Sequence, residues 1–171
     1  SQKHANMSYN SLSNLNLAYL LYINRYKDEK NNFIYDEYNL NNNLLGLNNP
    51  ENILKLDIYN LLIYSVNGWH GLTPNNRKFY WNSIENYFEP INYDSNANIE
   101  LETNIFHLPI SEQIELAFND LEKLLNRLNA KKFKQKITLR GLKLSEQQVN
   151  EKINIIKKNL YKLKNIYLKT D

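Results

Sequence analysis

Gly68-Trp69-His70-Gly71-Leu72-Thr73-Pro74-Asn75-Asn76-Arg77-Lys78-Phe79-Tyr80-Trp81 is the stretch on which the fold turns, because the apolar spacing changes period across it. Before it, Ile53, Leu56, Tyr59, Leu62, Ile63 and Val66 recur at three- and four-residue steps, which predicts an amphipathic helix over about 51–66. Pro50 suits the first turn of that helix, where a missing N–H costs nothing, and Gly68 serves as its stop. After it, aromatic residues crowd 77–81, turn-forming residues fill 82–86, and 87–93 resumes an extended pattern, which together predict a hairpin. Pro90 cannot donate to a ladder, so the second strand is expected at an edge or a bulge.

Working outward, Leu12, Leu15, Tyr19, Tyr22 and Tyr26 fall on one face of a first helix expected over 12–27, with Ser11 as its N-cap. Two long helices are expected to close the chain. One follows Pro109, is capped by Ser111 and buries Ile114, Phe118, Leu121, Leu125 and Leu128. The other follows Ser145, whose Gln148 completes a capping box, and buries Val149, Ile153, Ile156, Leu160, Leu163 and Tyr167. These helices should pair with each other or with the second helix. The lysines from Lys131 to Lys136 and along the last helix read as solvated faces and C-terminal charges that suit the helix dipole. Asn31-Asn32, Asn41-Asn42-Asn43 and Asn48-Asn49 read as loops, since Asn tolerates left-handed backbone and bonds its own main chain. The fold class is α+β, mostly helical, with one short hairpin between helices. The chain reads as one domain of three parts: 1–50 with the first helix and Asn-rich loops, 51–100 with helix, loop and hairpin, and 101–171 with the C-terminal helices.

Composition removes several function classes. With 171 residues and 42% apolar content, a core can form without staples. Zero cysteines exclude disulfides, thiolate zinc sites and a cysteine nucleophile. The balance of 21 basic against 18 acidic side chains, a net +3, argues against a nucleic-acid binder built on phosphate neutralisation. Apolar runs stop well short of a membrane span, and no signal-peptide layout opens the chain, so no membrane segment is expected and the compartment, cytoplasmic or cell-envelope associated, stays open. The start at Ser1 rather than Met fits a processed or excerpted protein. His4 and His107 are isolated, with no metal-ligand spacing.

The chemistry is expected between Trp69 and Asn96. Helix, short loop, hairpin and then Asp94 at the end of the second strand follow the order in which protein kinases place a catalytic loop of the form H-R-D-x-x-x-x-N and a later metal-binding Asp. Asn75 lies five residues after His70. An amide and a carboxylate supply the hard oxygen ligands that magnesium takes, phosphate and water completing its shell. On residues alone, an Asx turn is the better reading of Asp94, while Asn75 reads as well as turn chemistry after Pro74, with Asn76 as the alternative ligand, and His70 as well as a loop histidine packed on Trp69. Trp69, Phe79 and Trp81 read as core. Arg77 and Lys78 stand where a phosphate contact or a solvent-facing strand residue would each explain them.

The run from Gly68 to Trp81, followed by Phe88-Glu89-Pro90-Ile91-Asn92-Tyr93-Asp94-Ser95-Asn96, resembles the C-lobe signature of the CotH family of atypical, protein-kinase-like proteins, known from spore-coat kinases and bacterial envelope-associated relatives. The family pattern is a helix, a Trp-Asp-Gly-like loop, paired Asn before an aromatic strand, and a Phe-x-x-Ile-Pro-Trp-Asp-x-Asp strand. The likeness covers roughly residues 35 to 100 and is concentrated in Gly68 to Asn96. It implies a protein-kinase-like C-lobe and a phosphotransferase using Mg2+ and ATP, with a protein or glycan acceptor. Residue by residue, it implies His70 at the catalytic position, Asn75, Asn76 and Arg77 beside the nucleotide, and Asn75, Asp94 and Asn96 at the metal. Three positions depart from the pattern: His70 replaces the catalytic Asp, Asn96 replaces a second Asp, and Asn92-Tyr93 replaces Pro-Trp. A neutral imidazole still accepts a proton near neutral pH, whereas a cationic one repels magnesium. The resemblance also implies an N-terminal lobe with a phosphate-contacting Lys and its Glu partner, for which the residues before the second helix are too few and too helical. The chain is therefore expected to be a C-lobe portion, with a pseudokinase or a helical protein-interaction module as the alternatives.

Overall fold

Asn49 and Pro50 start the helix on which everything else is assembled. Asn49 sits in extended backbone and its side chain accepts from Asn52 N at 2.8 Å, while Pro50 fills the first turn, so α2 runs Pro50–Ser65, close to the span expected from its periodicity. At its other end Asn67 takes the left-handed conformation (φ 55°), with Gly68 N donating to Ile63 O and Asn67 N to Tyr64 O. That pairing closes a Schellman turn in which Asn67, not Gly68, occupies the left-handed position.

The computed structural model describes residues 2–25, 40, 43–73, 75–101 and 111–168. Its elements are α1 (Gln2–Arg25), α2, a 3-10 turn (Trp69–Leu72), β1 (Lys78–Asn82), β2 (Tyr87–Ile91), α3 (Ile114–Arg127), α4 (Ala130–Thr138) and α5 (Glu146–Tyr167). The molecule is α+β and mostly helical. The hairpin pairs antiparallel, with Lys78 opposite Ile91 and Asn82 opposite Tyr87. Pro90 lies within a two-stranded ribbon, where both strands are edges. Asn31, Asn32, Asn41, Asn42, Pro74, His107, Pro109 and the Tyr26–Lys27 end of the first expected helix lie outside the described residues.

Several sequence expectations are corrected. Ser11 is not an N-cap: α1 begins near residue 2, and the Ser11 hydroxyl donates back to Met7 O at 2.7 Å inside the helix. On this longer helix Ala18 is fully buried while Leu12 is exposed. The C-terminal part contains three helices, because Asn129 caps a new start by accepting from Lys132 N and creates α4 out of the lysine-rich stretch. Leu128 falls in the break between α3 and α4 and is 40% exposed rather than core. Ser111 bonds Gln113 N one turn ahead of α3 instead of occupying its capping position, whereas the Ser145–Gln148 capping box forms in full.

The main core lies where α2, α3 and α5 meet. Leu61, Ile63, Tyr64, Leu72, Phe118, Leu121, Leu160 and Leu163 are among its buried members, with Trp69 packed against them. Fully burying a side chain of this size contributes about 1.5–3 kcal/mol, so this cluster dominates the favourable term. A second cluster holds Ala18, Leu40, Leu45, Leu47 and Leu56 against Tyr87 and Phe88, with Phe79 and Trp81 packed beside it. It is closed by a backbone bond from Phe88 N to Leu45 O at 2.9 Å and by Gly46, whose φ of +70° and 2.6 Å clearance to Asn86 O leave no room for a side chain. A small third cluster seats α4 on α5 through Ala130, Val149 and Ile153. Among the described residues no helix is long and apolar enough to cross a membrane.

Polar groups also enter this interior on α2. Asn159 Nδ2, 2% exposed, donates to Ser65 O at 3.0 Å and satisfies one of the last carbonyls of α2. Asp57 is buried and accepts a hydrogen bond from the Ser111 hydroxyl, which ties α2 to the approach of α3. Burial pushes the Asp57 carboxyl up from 3.8 to about 6, the Ser111 bond pulling the other way. Because the folded state holds this proton more tightly, the group stabilises the fold most below its unfolded pKa. That contribution is lost as pH rises to about 6 and stays lost above it. Asp57→Asn keeps an acceptor for Ser111 and removes the buried charge. Urea denaturation should show it more stable than wild type by about 2–3 kcal/mol at pH 7.5, with the difference vanishing towards pH 4; a constant difference across that range would contradict the buried charge.

Candidate functional site

Two glycines press one loop against another. A Cβ placed on Gly71 would lie 2.8 Å from both Cα and Cβ of Ser95 and 3.1 Å from Tyr93 O; one on Gly68 would lie 3.3 Å from Ser95 Cβ. The turn Trp69–Leu72 therefore rests directly on the chain leaving β2, and Ser95 is buried beneath it. Either side of Ser95, Asp94 (φ 44°) and Asn96 (φ 47°) are both left-handed, a conformation that Asp and Asn accept at low cost. This alternation buries the small Ser95 side chain and leaves Asp94 and Asn96 exposed.

The result is a convergence on His70. Asp94 Oδ2 lies 3.9 Å from His70 Nε2, within coulombic reach though beyond hydrogen-bond distance, and both side chains are about half exposed. Asn76 approaches the same ring nitrogen, Nδ2 to Nε2 being 2.9 Å, and Nδ2 also donates to His70 O at 3.1 Å. The second bond orients the amide, because a carbonyl oxygen only accepts. Nε2 is then the acceptor from Asn76, and the neutral imidazole carries its proton on Nδ1. Asn76 is left with Oδ1 as its coordinating atom. His70 O further accepts from Thr73 N and from the Thr73 hydroxyl at 2.8 Å, and Trp69 meets the imidazole edge-on with centroids 6.0 Å apart. His70 is thus packed into its loop while its imidazole stays half exposed.

The structure sorts the expected site residues. His70, Asn76 and Asp94 come together. Asn75 and Asn96 are exposed on the adjoining turns. Arg77 does not share this surface: it is 6% exposed, its Nε donating to Leu72 O at 2.7 Å and one terminal nitrogen to Asn60 Oδ1 at 3.1 Å, while its carbonyl accepts from the Tyr19 hydroxyl at 2.8 Å. Arg77 is thus the inner brace of the loop and is corrected from the nucleotide-contact group. Burial raises the Tyr19 and Tyr59 phenols, and the neighbouring guanidinium lowers them in part. Lys78 is exposed, with its Nζ 5.4 Å from the centre of the Tyr93 ring.

Sequence spacing alone misses Asn60, Gly71 and Ser95 as the residues that build this geometry. The available signal was small: Asn60 as one of several polar residues among the apolar positions of α2, and the smallest side chains, Gly68, Gly71 and Ser95, in the two segments that touch. Among the described residues no group of three or more His, Cys, Asp or Glu side chains is placed to hold a metal ion. One carboxylate and one amide oxygen nonetheless suit magnesium bound mainly through phosphate and water, which takes only one or two protein carboxylates. No protein-family model, curated protein or solved structure matches the chain.

Gly71→Ala should force the Ser95 backbone away, costing about 1–3 kcal/mol in urea denaturation. Gly68→Ala, whose nearest neighbour is Ile63 O at 3.1 Å, should cost less. Equal stability of wild type and Gly71→Ala would show that the two loops are not in contact.

Proposed function

We propose that this chain carries the C-lobe portion of a kinase-like, CotH-type phosphotransferase site, with Asp94 and Asn76 as the oxygen ligands of a nucleotide-bound Mg2+. The observation that supports this reading is the meeting of Asp94, His70 and Asn76, which come from two loops either side of the hairpin in the order expected of such a site. When bound, magnesium supplies neutralisation of phosphate charge. Asp94, exposed at the end of β2, offers the carboxylate. Asn76 spends its amide hydrogens on His70 and offers Oδ1. His70, held through its carbonyl by Thr73 and Asn76, stands beside both ligands, where an acceptor hydroxyl of a protein or glycan would deliver its proton to Nε2 once that atom gives up its bond from Asn76. Asn75 and Asn96 flank the pair as further amide oxygens.

A second reading, a pseudokinase that binds without turnover, is favoured by that same Nε2, already engaged by an amide hydrogen where the family places an aspartate. Isothermal titration with ATP separates these ideas from a purely structural loop. Heat should appear with Mg2+, disappear without it, and Asp94→Ala should weaken binding by at least about tenfold, or 1.4 kcal/mol. Absence of heat in both arms removes the nucleotide reading. If nucleotide binds, phosphoryl transfer by wild type favours the enzyme, while transfer only after His70→Asp favours the pseudokinase.

A further inference from the structure

The helical corner formed by α4 and the turn that follows it has a surface unlike the rest of the molecule. Between Ala130 and Leu144 six side chains are basic and none is acidic; against totals of 21 basic and 18 acidic, removing these six leaves the remainder net negative. Lys131, Lys132, Lys136, Arg140 and Lys143 are exposed and Lys134 is half-buried, and among the described residues none of the six takes part in an ion pair. The same corner exposes large apolar side chains that a solvated basic face does not need: Phe133 at 39%, Leu142 at 58% and Leu139 at 88%. It also projects. Gly141, at φ +90°, has nothing within 4 Å of the position a Cβ would take, and Arg140 N, Gly141 N and Leu142 N close the turn on Ile137 and Thr138 carbonyls. Beneath it, Ala130, Ile137 and Leu144 anchor the corner on Val149 and Ile153 of α5, so the exposed leucines stand on a packed base. Glu146, at the start of α5, borders a shallow cleft with Lys131, Lys134 and Leu139 and is acidic.

We propose that this corner docks on an anionic lipid bilayer surface, the cations lying at the headgroups and Leu139 and Leu142 entering the acyl boundary. Charge complementarity alone suits any polyanion. The protruding leucine pair decides for lipid, because apolar tips interleaved with cations gain energy in a headgroup region, whereas a phosphate backbone offers leucine nothing to bury against. This is adsorption to a surface and involves no spanning helix.

Flotation of the whole chain with vesicles tests it. The protein should bind phosphatidylcholine vesicles containing phosphatidylserine, release as salt is raised, and ignore phosphatidylcholine alone. Lys132→Gln, Lys136→Gln and Arg140→Gln together should weaken binding about 100-fold, roughly fivefold for each cation removed near the surface. Leu139→Ser with Leu142→Ser should weaken it about tenfold at unchanged salt, and both variants change exposed side chains and should melt with wild type. No binding to the phosphatidylserine vesicles, equal binding to phosphatidylcholine, or indifference to the leucine pair overturns the proposal. So does tighter binding to a duplex DNA or RNA oligonucleotide than to the anionic vesicles.

Discussion

A guanidinium buried between helix and turn is the constraint around which this molecule is arranged. Arg77 reaches inward to Asn60 on α2 and to Leu72 O at the end of the 3-10 turn, and its own carbonyl receives the Tyr19 hydroxyl of α1. Three separate segments are thereby referred to one residue at the threshold of β1. A cation withdrawn from water carries a penalty of several kcal/mol unless its donors are met, so the arrangement is satisfied only when helix, turn and strand stand in one mutual position. This polar brace sits beside Leu72, which is fully buried in the main core.

The brace accounts for the form of the surface outside it. With Leu72 drawn inward, the turn presents Gly71 and Gly68 to the chain leaving β2, and only glycine permits the observed approach to Ser95. His70 and Asp94 meet because the backbones beneath them touch, not because their side chains attract strongly: at 3.9 Å and half exposed, even a fully charged pair contributes about 1 kcal/mol or less. The geometry of the exposed trio is therefore inherited from buried groups.

Polar burial recurs along α2. Asp57 and Asn60 are buried on α2 among Leu56, Leu61, Ile63 and Tyr64 and are matched by Ser111 and Arg77; Asn52 reaches Gly46 O, and Asn159 reaches the Ser65 carbonyl. Apolar stripes alone would let α3 and α5 slide along α2 at little cost. Directional bonds at defined positions discriminate among those registers, and Asp57 does so at the expense of stability near neutral pH. The hairpin side uses a different device, the close backbone approach at Gly46 and the bond from Phe88 N to Leu45 O.

How much of this was legible beforehand follows from the range of the forces involved. Helix periodicity, the Pro50 start, the Ser145 capping box, the hairpin and the mostly helical class all depend on residues a few positions apart, and sequence alone determined them. It also set His70, Asn75, Asn76, Arg77 and Asp94 down as one group, of which Arg77 turns inward. Where a local signal was ambiguous it misled: Ser11 resembles a cap but lies mid-helix, and Asn129 was passed over although it divides α3 from α4. The tertiary structure alone decided that Asn76 engages His70, that Arg77 turns inward to Asn60, and that Gly71 lies on Ser95. The last two join residues 17 and 24 positions apart, the first turns one of two neighbouring asparagines back onto its own loop, and all three depend on which packing leaves the fewest polar groups unmet, a property of the whole fold.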